Sequence, residues 1–258
     1  MKQTAKILRK LIIRLSILLL LLFLAVGGFY SIKGYVMYRD AVNEKTLEDR
    51  VKEIRGREGF TAYSDLPQFY IKACISAEDR RFRQHCGIDP IAIGRAAWTD
   101  IKAMAFVEGG STITQQLAKN LLFTQEKKIE RKTAEIFAAL ALETNYSKNE
   151  IFELYANTSY FGGGYYGIHD ASMGYFGKEP SELTDYECAM LAGIPKAPSV
   201  YSPNNSEELA AKRANQVLEC MVKNKVISQK DVLRITTEIP AKPRRLCRQP
   251  PSGARAIE

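Results

Sequence analysis

Residues 108–123 read EGGSTITQQLAKNLLF, two glycines followed by a helical pattern that begins at Ser111. Gly109 and Gly110 break the chain, so the unpaired N–H groups, the hydroxyls and the positive end of the next helix dipole point outward. Lys119 lies about two turns further on, near the same face. The stretch suits a phosphate or a sugar, although a glycine hinge before a capped helix is also common without a ligand.

A second candidate site occupies residues 78–89, which read EDRRFRQHCGID. Glu78 and Asp79 are adjacent at a predicted helix end, so their side chains point about 100° apart. One carboxylate can therefore face a cleft while the other binds a nearby arginine or the backbone. An ordinary charged helix end has the same pattern, so the pair alone does not identify a site.

A third cluster lies on a long predicted helix over residues 128–145, which Lys127 precedes. Arg131 and Glu135 are four residues apart and would also fit a surface ion pair. Apolar residues on several sides of this helix instead indicate that part of its polar face, which includes Lys132, lines a cleft.

The rest of the domain is predicted to be helical, because no alternating run is long enough to build a sheet. Helices are expected over residues 68–82, 91–106 and 111–123, and from residue 206 to about residue 225. Typical capping residues mark four helix starts: Asp89-Pro90, Ser147 with Glu150, Thr184 with Glu187, and Ser228 with Asp231.

A basic tail and an uncharged stretch open the chain. Residues 1–14 hold five basic residues and no acid, so the formal charge of +8 falls to +3 for the remainder. Nucleic-acid binding is therefore not favoured. Residues 15–32 carry no charge and nearly reach the length of about 20 residues that a spanning helix needs. The basic flank predicts a cytoplasmic N-terminus. A cleaved signal peptide is the rival interpretation, and both export the domain.

The five cysteines are odd in number and lack CxxC spacing. Only His85 and His169 could assist them, which argues against a zinc site. Small buried residues explain them, with room for one disulfide whose pairing the sequence does not name. The predicted organisation is a tail and anchor over 1–35, a juxtamembrane helix or linker over 36–58, one domain over 59–238, and a Pro- and Arg-rich tail over 239–258.

Five segments resemble, in order and spacing, the motifs of glycosyltransferase family 51, the peptidoglycan glycosyltransferase domain. They are EDRRFRQHCGID, EGGSTITQQLAKNLLF, RKTAE, KNEIFELYANTSYFGGGYYGI and RANQVL, and the similarity covers roughly residues 60–225. The resemblance implies a mainly α, lysozyme-like domain of two lobes behind a single N-terminal transmembrane helix. It also implies polymerisation of lipid II into β-1,4 glycan strands, with inversion and release of undecaprenyl diphosphate.

By motif position, Glu78 resembles the general base of this family. Glu135 matches its second essential carboxylate, which would orient the neighbouring cations or hold a divalent ion, Mg²⁺ or Mn²⁺. No organic cofactor is expected. Residues in supporting positions are Asp79, Phe82, His85 and Asn157. Residues in substrate-binding positions are Ser111, Thr112, Gln115, Gln116, Lys119, Lys127, Arg131 and Lys132.

Two other functions compete with this interpretation. A lytic enzyme that cleaves the same bond needs a protonated carboxyl in an apolar pocket and has no use for cations sized for a diphosphate. A catalytically silent cell-wall scaffold is disfavoured because Glu78 and Glu135 are both present. No SxxK or KTG sequence occurs, so we expect strand synthesis without crosslinking and sensitivity to moenomycin, not penicillin.

The expected location is the plasma (inner) membrane, with a single span and the catalytic domain on the outer or periplasmic face. Expected partners are lipid II, the growing lipid-linked strand and the bilayer, together with penicillin-binding transpeptidases and other wall-assembly proteins. The resemblance places residues 91–107 in a mobile lobe that dips into the membrane, which suits Trp98, Met104 and Phe106. A core helix is the alternative for this segment.

Overall fold

The computed structural model describes residues 2–104, 109–123 and 128–237. Phe106, Lys127, Cys247 and the predicted tail over 239–258 lie outside the described residues. Within the described ranges the helices are α1 (Lys2–Glu44), α2 (Leu47–Arg55), α3 (Gln68–Glu78), α4 (Pro90–Ala103), α5 (Ile113–Leu122), α6 (Ile129–Asn145), α7 (Lys148–Thr158), α8 (Ile168–Phe176), α9 (Asp185–Gly193), α10 (Pro198–Tyr201), α11 (Glu207–Lys223) and α12 (Gln229–Thr237).

Three single 3-10 turns, Tyr63–Asp65, Pro180–Glu182 and Ile194–Lys196, complete the regular structure of these ranges. They contain no strand, only an isolated antiparallel bridge between Tyr160 and Tyr166. The prediction of a mainly α fold behind one N-terminal apolar helix is confirmed.

Helix α1 is long and apolar enough over Arg9–Glu44 to cross a membrane, and none of its apolar window is buried inside the protein. It continues unbroken to Glu44, and its later part packs along α6. After the N-cap Thr46, α2 buries Val51 and Ile54 in the core. Most of the segment predicted as a juxtamembrane helix or linker is therefore helical, and part of it belongs to the domain core.

The core lies where α3, α5, α7, α9 and α11 meet. Each fully buried large apolar side chain contributes roughly 1.5–3 kcal/mol to stability. The largest of these side chains are Tyr70, Tyr155, Phe82, Phe152, Phe161, Ile113, Leu117, Leu142, Ile151, Leu154, Ile168 and Leu191. Because α5 and α3 belong to this core, the residues at their ends are held firmly.

Helix α4 is largely exposed, and Ala96 is its one buried residue. Trp98 is 61% exposed and Met104 is 94% exposed, and Ile91 and Ile101 are exposed as well. An apolar face of this kind favours contact with a membrane surface over a place in the core. The membrane-facing role of this segment stays a prediction.

Local capping explains most helix starts. The capping boxes of Ser147 with Glu150 and of Thr184 with Glu187 are both present, and Asp89 caps α4. These three predictions are confirmed. At α5 the N-cap is Thr112, one residue later than expected.

The predicted helix over residues 68–82 is too long, because α3 ends at Glu78. Asp79 leaves the helical region with φ −154° and ψ 76°. Its carboxylate instead accepts a hydrogen bond from the backbone N–H of Ile113 at the start of α5. A contact with a residue distant in the sequence therefore ends the helix.

The buried amide of Asn157 joins α7 to the chain before α3. Its Oδ1 accepts from the backbone N–H of Thr61 at 2.9 Å, and its Nδ2 donates to the carbonyls of Thr61 and Glu153 at 2.8 Å. Replacement by alanine would leave buried backbone groups unpaired, each at a cost of roughly 1–3 kcal/mol. Chemical denaturation of the detergent-solubilised chain should show Asn157→Ala destabilised by about 2 kcal/mol or more.

Asn215→Ala is the matched control, because Asn215 is exposed on α11. Its free energy of unfolding should stay within about 0.5 kcal/mol of the unsubstituted chain. Equal stability of the two variants would contradict a structural role for Asn157.

Candidate active site

The carboxylate of Glu78 is held from two sides at the end of α3. Gln116 Nε2 of α5 donates to Oε2 at 3.1 Å, and a terminal guanidinium nitrogen of Arg213 on α11 lies 3.3 Å from Oε1. The side chain of Glu78 is 11% exposed. It is therefore a positioned, partly accessible carboxylate and not an ordinary charged helix end.

The neighbouring carboxylate of Asp79 is buried and faces a different set of donors. It accepts from His85 Nε2 at 2.9 Å and from the N–H of Ile113 at 3.0 Å. His85 Nδ1 accepts from the N–H of Gly87 at 3.1 Å, which leaves Nε2 as the ring nitrogen that donates to Asp79. The adjacent acids thus divide their tasks, Asp79 bracing the fold and Glu78 facing accessible space.

An open cleft joins Glu78 to the glycine pair and Ser111. It lies between the end of α3, the start of α4 and the segment before α5. The residues that line it are Glu78, Asp79, Arg80, Arg81, Asp89, Ala92, Arg95, Gly109, Gly110, Ser111 and Thr112. Three arginines and three carboxylates make its wall strongly polar, with balanced charge.

Asp89 stabilises one wall of this cleft. Burial by itself would raise the pKa of this carboxyl, but the N–H groups of Ala92 and Ile91 and the charge of Arg81 outweigh burial and lower it. Asp89 therefore stays ionised as the N-cap of α4, and Arg81 is held 3.0 Å from it.

One group of charged side chains, which we call the cation cluster, has a net charge of +2. It consists of Lys119, Arg131, Lys132 and Glu135. Glu135 is buried, and its two oxygens accept from Arg131 and from Lys132 Nζ, each at 2.8 Å. Lys132 Nζ also donates to Ser111 Oγ at 2.6 Å. Because Ser111 lines the cleft that contains Glu78, this bond connects the cluster to the cleft.

The pKa of Lys119, on α5, is shifted by burial and by the charges of Glu135, Arg131 and Lys132. Burial lowers the pKa of its ammonium below the usual 10.5, Glu135 opposes this shift, and the positive charges of Arg131 and Lys132 reinforce it. A second anion beside Lys119 would relieve both desolvation and repulsion. The cluster is thus suited to bind a group with more than one negative charge, such as a diphosphate.

Thr112 and Gln115 are buried and engaged with each other in the capping box of α5. Thr112 Oγ1 also donates to the carbonyl of Gly87 at 2.7 Å. Their hydrogen bonds fix the start of the helix, whereas Ser111 and Gln116 reach the cation cluster and Glu78. Contact of any of the four with substrate stays a prediction.

Two of the residues in predicted supporting positions lie in the core. Phe82 is fully buried, with Lys148 Nζ 4.6 Å from its ring centre, and Asn157 makes the backbone contacts described above. Lys127 lies outside the described residues. The segments that the sequence singled out therefore meet in one region, from α3, α5 and α6.

Arg213 is a site residue that sequence reasoning did not assign. Its Nε donates to the carbonyl of Gly193 at 3.2 Å, and its guanidinium carbon lies 5.7 Å from the ring centre of Tyr201. These contacts aim the guanidinium at Glu78. The signal was the first letter of the RANQVL segment, which marks Arg213 without saying that it meets residue 78.

A divalent cation does not fit the surroundings of Glu135. Both of its carboxylate oxygens are engaged by cations. Across the part of the chain that the structure describes, no group of three His, Cys, Asp or Glu side chains could hold a metal ion. One carboxylate beside two positive charges is a poor ligand set for Mg²⁺ or Mn²⁺.

The transglycosylase family profile matches residues 44–222 of the chain. The chain belongs to the transglycosylase family. It is 42% identical to penicillin-binding protein 1F of Bacillus subtilis over 87% of this chain and 33% of that protein. For penicillin-binding protein 2D of the same organism the identity is 48%, over 64% of this chain and 24% of that protein. The chain thus spans about a third or less of the length of these relatives.

Among solved structures, penicillin-binding protein 1A from Haemophilus influenzae is 30% identical over the aligned part. The alignment covers 49% of this chain and 16% of that chain, with a TM-score of 0.33.

The lowered pKa of Lys119 predicts how anion binding depends on pH. Its ammonium loses its proton below pH 10.5, so affinity for inorganic pyrophosphate should weaken earlier on the alkaline side than an ordinary lysine would allow. Lys119→Arg keeps its charge throughout and should hold affinity to higher pH. Calorimetric titrations with pyrophosphate between about pH 7 and 10 measure this difference.

Lys212→Arg provides the control, since Lys212 lies on α11, outside the cation cluster. Pyrophosphate's own ionisation is common to all three proteins and cancels in the comparison. Identical alkaline profiles for Lys119→Arg and the unsubstituted chain would show that Lys119 does not bind the anion.

Proposed function

We propose that this chain is a peptidoglycan glycosyltransferase that joins lipid II units into a β-1,4 glycan strand and releases undecaprenyl diphosphate. The observation that carries the proposal is the connection of a positioned carboxylate, Glu78, to the cation cluster through one cleft and the bond between Ser111 and Lys132. Membership of the transglycosylase family supports the proposal.

Glu78 acts as the general base in this proposal. Its carboxylate takes the proton of the 4-hydroxyl of the acceptor sugar while that oxygen attacks C1 of the lipid-linked donor sugar. Gln116 and Arg213 each hold one carboxylate oxygen, so the orientation of the base is set before substrate arrives. Attack from the side opposite the diphosphate inverts the configuration at C1.

The cation cluster stabilises the leaving group. As the bond between C1 and the diphosphate oxygen breaks, the electron pair leaves with the diphosphate, whose negative charge grows. Lys119, Arg131 and Lys132 place positive charge where that charge develops, and no proton needs to be supplied. Glu135 orients Arg131 and Lys132 through its two hydrogen bonds.

In this proposal the chemistry takes place beside a bilayer, and the apolar surfaces of the chain support that location. We propose that α1 anchors the chain and that the apolar face of α4 contacts the outer leaflet. The length and apolarity of α1 and the exposed apolar side chains of α4 support this arrangement. Both sugar substrates keep their lipid tails in the membrane, so a site at its surface reaches them without extracting the tails.

Glu78→Gln tests the proposal, because glutamine keeps the shape of the side chain and cannot take a proton. The rate of lipid II polymerisation by the detergent-solubilised chain should fall by roughly 10²- to 10⁴-fold, the usual contribution of a general base. Gel separation of glycan strands and the release of undecaprenyl diphosphate give two measures of the reaction.

Glu219→Gln, an exposed site on α11, should polymerise at the unsubstituted rate. Full activity of Glu78→Gln would remove the base from the mechanism. If the unsubstituted chain shortens finished peptidoglycan strands and does not consume lipid II, it is a lytic enzyme and not a synthase.

A further inference from the structure

Helix α6 carries different contacts on two of its faces. Arg131, Lys132 and Glu135 belong to the cation cluster. Glu130, Thr133 and Phe137 are spaced at i, i+3 and i+7, on another face, and contact α1. Lys33 Nζ lies 3.5 Å from Glu130 Oε1, and the ring centres of Tyr35 and Phe137 are 5.3 Å apart. The hydroxyl of Thr133 lies 3.0 Å from the carbonyl oxygen of Tyr30 and 2.9 Å from that of Glu130, so its one hydrogen is shared between the two helices.

Gly34 brings the two helices into close contact. A Cβ at this position would overlap Thr133 Oγ1, and it would lie 2.6 Å from Thr133 Cβ and 2.9 Å from the backbone nitrogen of Ala134. Because the last of these atoms belongs to the backbone, a change of rotamer at Thr133 would not make room. A Cβ added at Gly27 or Gly28, on the same helix, would meet no atom of another element within 4 Å.

A second brace joins the end of α1 to α5. The guanidinium of Arg50 donates to the carbonyl of Ala41 at 3.1 Å and to the carbonyl of Leu121, in the last turn of α5, at 3.0 Å. Helix α1 is therefore connected to both helices that carry the cation cluster. Since α1 is unbroken to Glu44, it cannot act as a loose tether.

The docking contacts lie where the apolar span ends. The uncharged stretch closes at Ile32, and Lys33 and Gly34 follow it directly. Arg131 and Lys132 lie between Glu130 and Thr133 near the start of α6, so they are held beside this end of the span. In the proposed function the diphosphate of the lipid-linked sugar lies at the same level, because its tail stays in the hydrocarbon.

We infer that α1, docked through Gly34 and Thr133, sets the height and orientation of the cation cluster above the membrane surface. Gly34 and Thr133 are then positioning residues for a membrane-embedded lipid diphosphate. This inference rests on the proposed function. It goes beyond anchoring, because an anchor alone would need no close contact with the helix that carries the cluster.

Gly34→Leu tests the inference on the full chain reconstituted in phospholipid vesicles. Leucine is a better helix former than glycine, so α1 itself is not weakened. With lipid II embedded in the same vesicles, KM should rise by about tenfold or more, equivalent to a loss of about 1.4 kcal/mol in apparent affinity. With a short-chain, water-soluble lipid II analogue in detergent, kcat and KM should stay near those of the unsubstituted chain.

Gly28→Leu is the matched control and should behave as the unsubstituted chain with both substrates, since a Cβ there meets no atom of another element. Thr133→Val removes the hydroxyl without adding volume, and it should also raise KM in vesicles. Thr133→Ser keeps the hydroxyl, so its KM in vesicles should stay near that of the unsubstituted chain.

Three results separate the outcomes. If KM of Gly34→Leu and Thr133→Val rises by the same factor with both substrates, the inference is overturned, because the contact then serves folding alone. An unchanged KM in vesicles for both variants would overturn it too, while leaving the proposed function intact. Failure of the unsubstituted chain to polymerise either substrate would sink the proposed function and this inference with it.

Discussion

The arrangement of the cleft depends on the buried carboxylate of Asp79, whose hydrogen bonds connect the end of α3 to the start of α5. It ends α3, accepts from His85, and receives the first free N–H of α5 from Ile113. Loss of such an acceptor leaves buried donors unpaired, at roughly 1–3 kcal/mol each. Because Glu78 is the last residue of α3, the hydrogen bond between Asp79 and Ile113 also orients Glu78 toward Gln116 and the cleft.

The loop after α3 carries this constraint to the cation cluster. Gly87 adopts φ +91°, and a Cβ there would lie 3.0 Å from the carbonyl oxygen of Ala139 on α6. Its own carbonyl accepts from Thr112 at the start of α5. The loop is thus packed against α5 and α6 together. Carboxylate and cations on three different helices are in this way held by packing and backbone contacts, as a preorganised site requires.

The cation cluster carries an excess of positive charge. Glu135 compensates part of the charge of two cations, but it leaves a net positive charge beside the partly buried Lys119. A partly buried excess of positive charge is stabilised when an anion neutralises it. Helix α6, which carries Arg131 and Lys132, also packs against α1. Under the inference above, this packing fixes the anion-binding region relative to the membrane surface.

The sequence by itself determined the helical class, the apolar N-terminal helix, most capping residues and the residue types of the site. These features are local, since capping, periodicity and charge act over a few neighbouring residues. Only the tertiary structure decided that α3 stops at Glu78, that Thr112 and Gln115 serve the backbone, and that Arg213 meets Glu78 across 135 residues of sequence. The contact of Gly34 with Thr133 was also decided by the tertiary structure, because local sequence patterns do not predict which distant residues helix packing brings together.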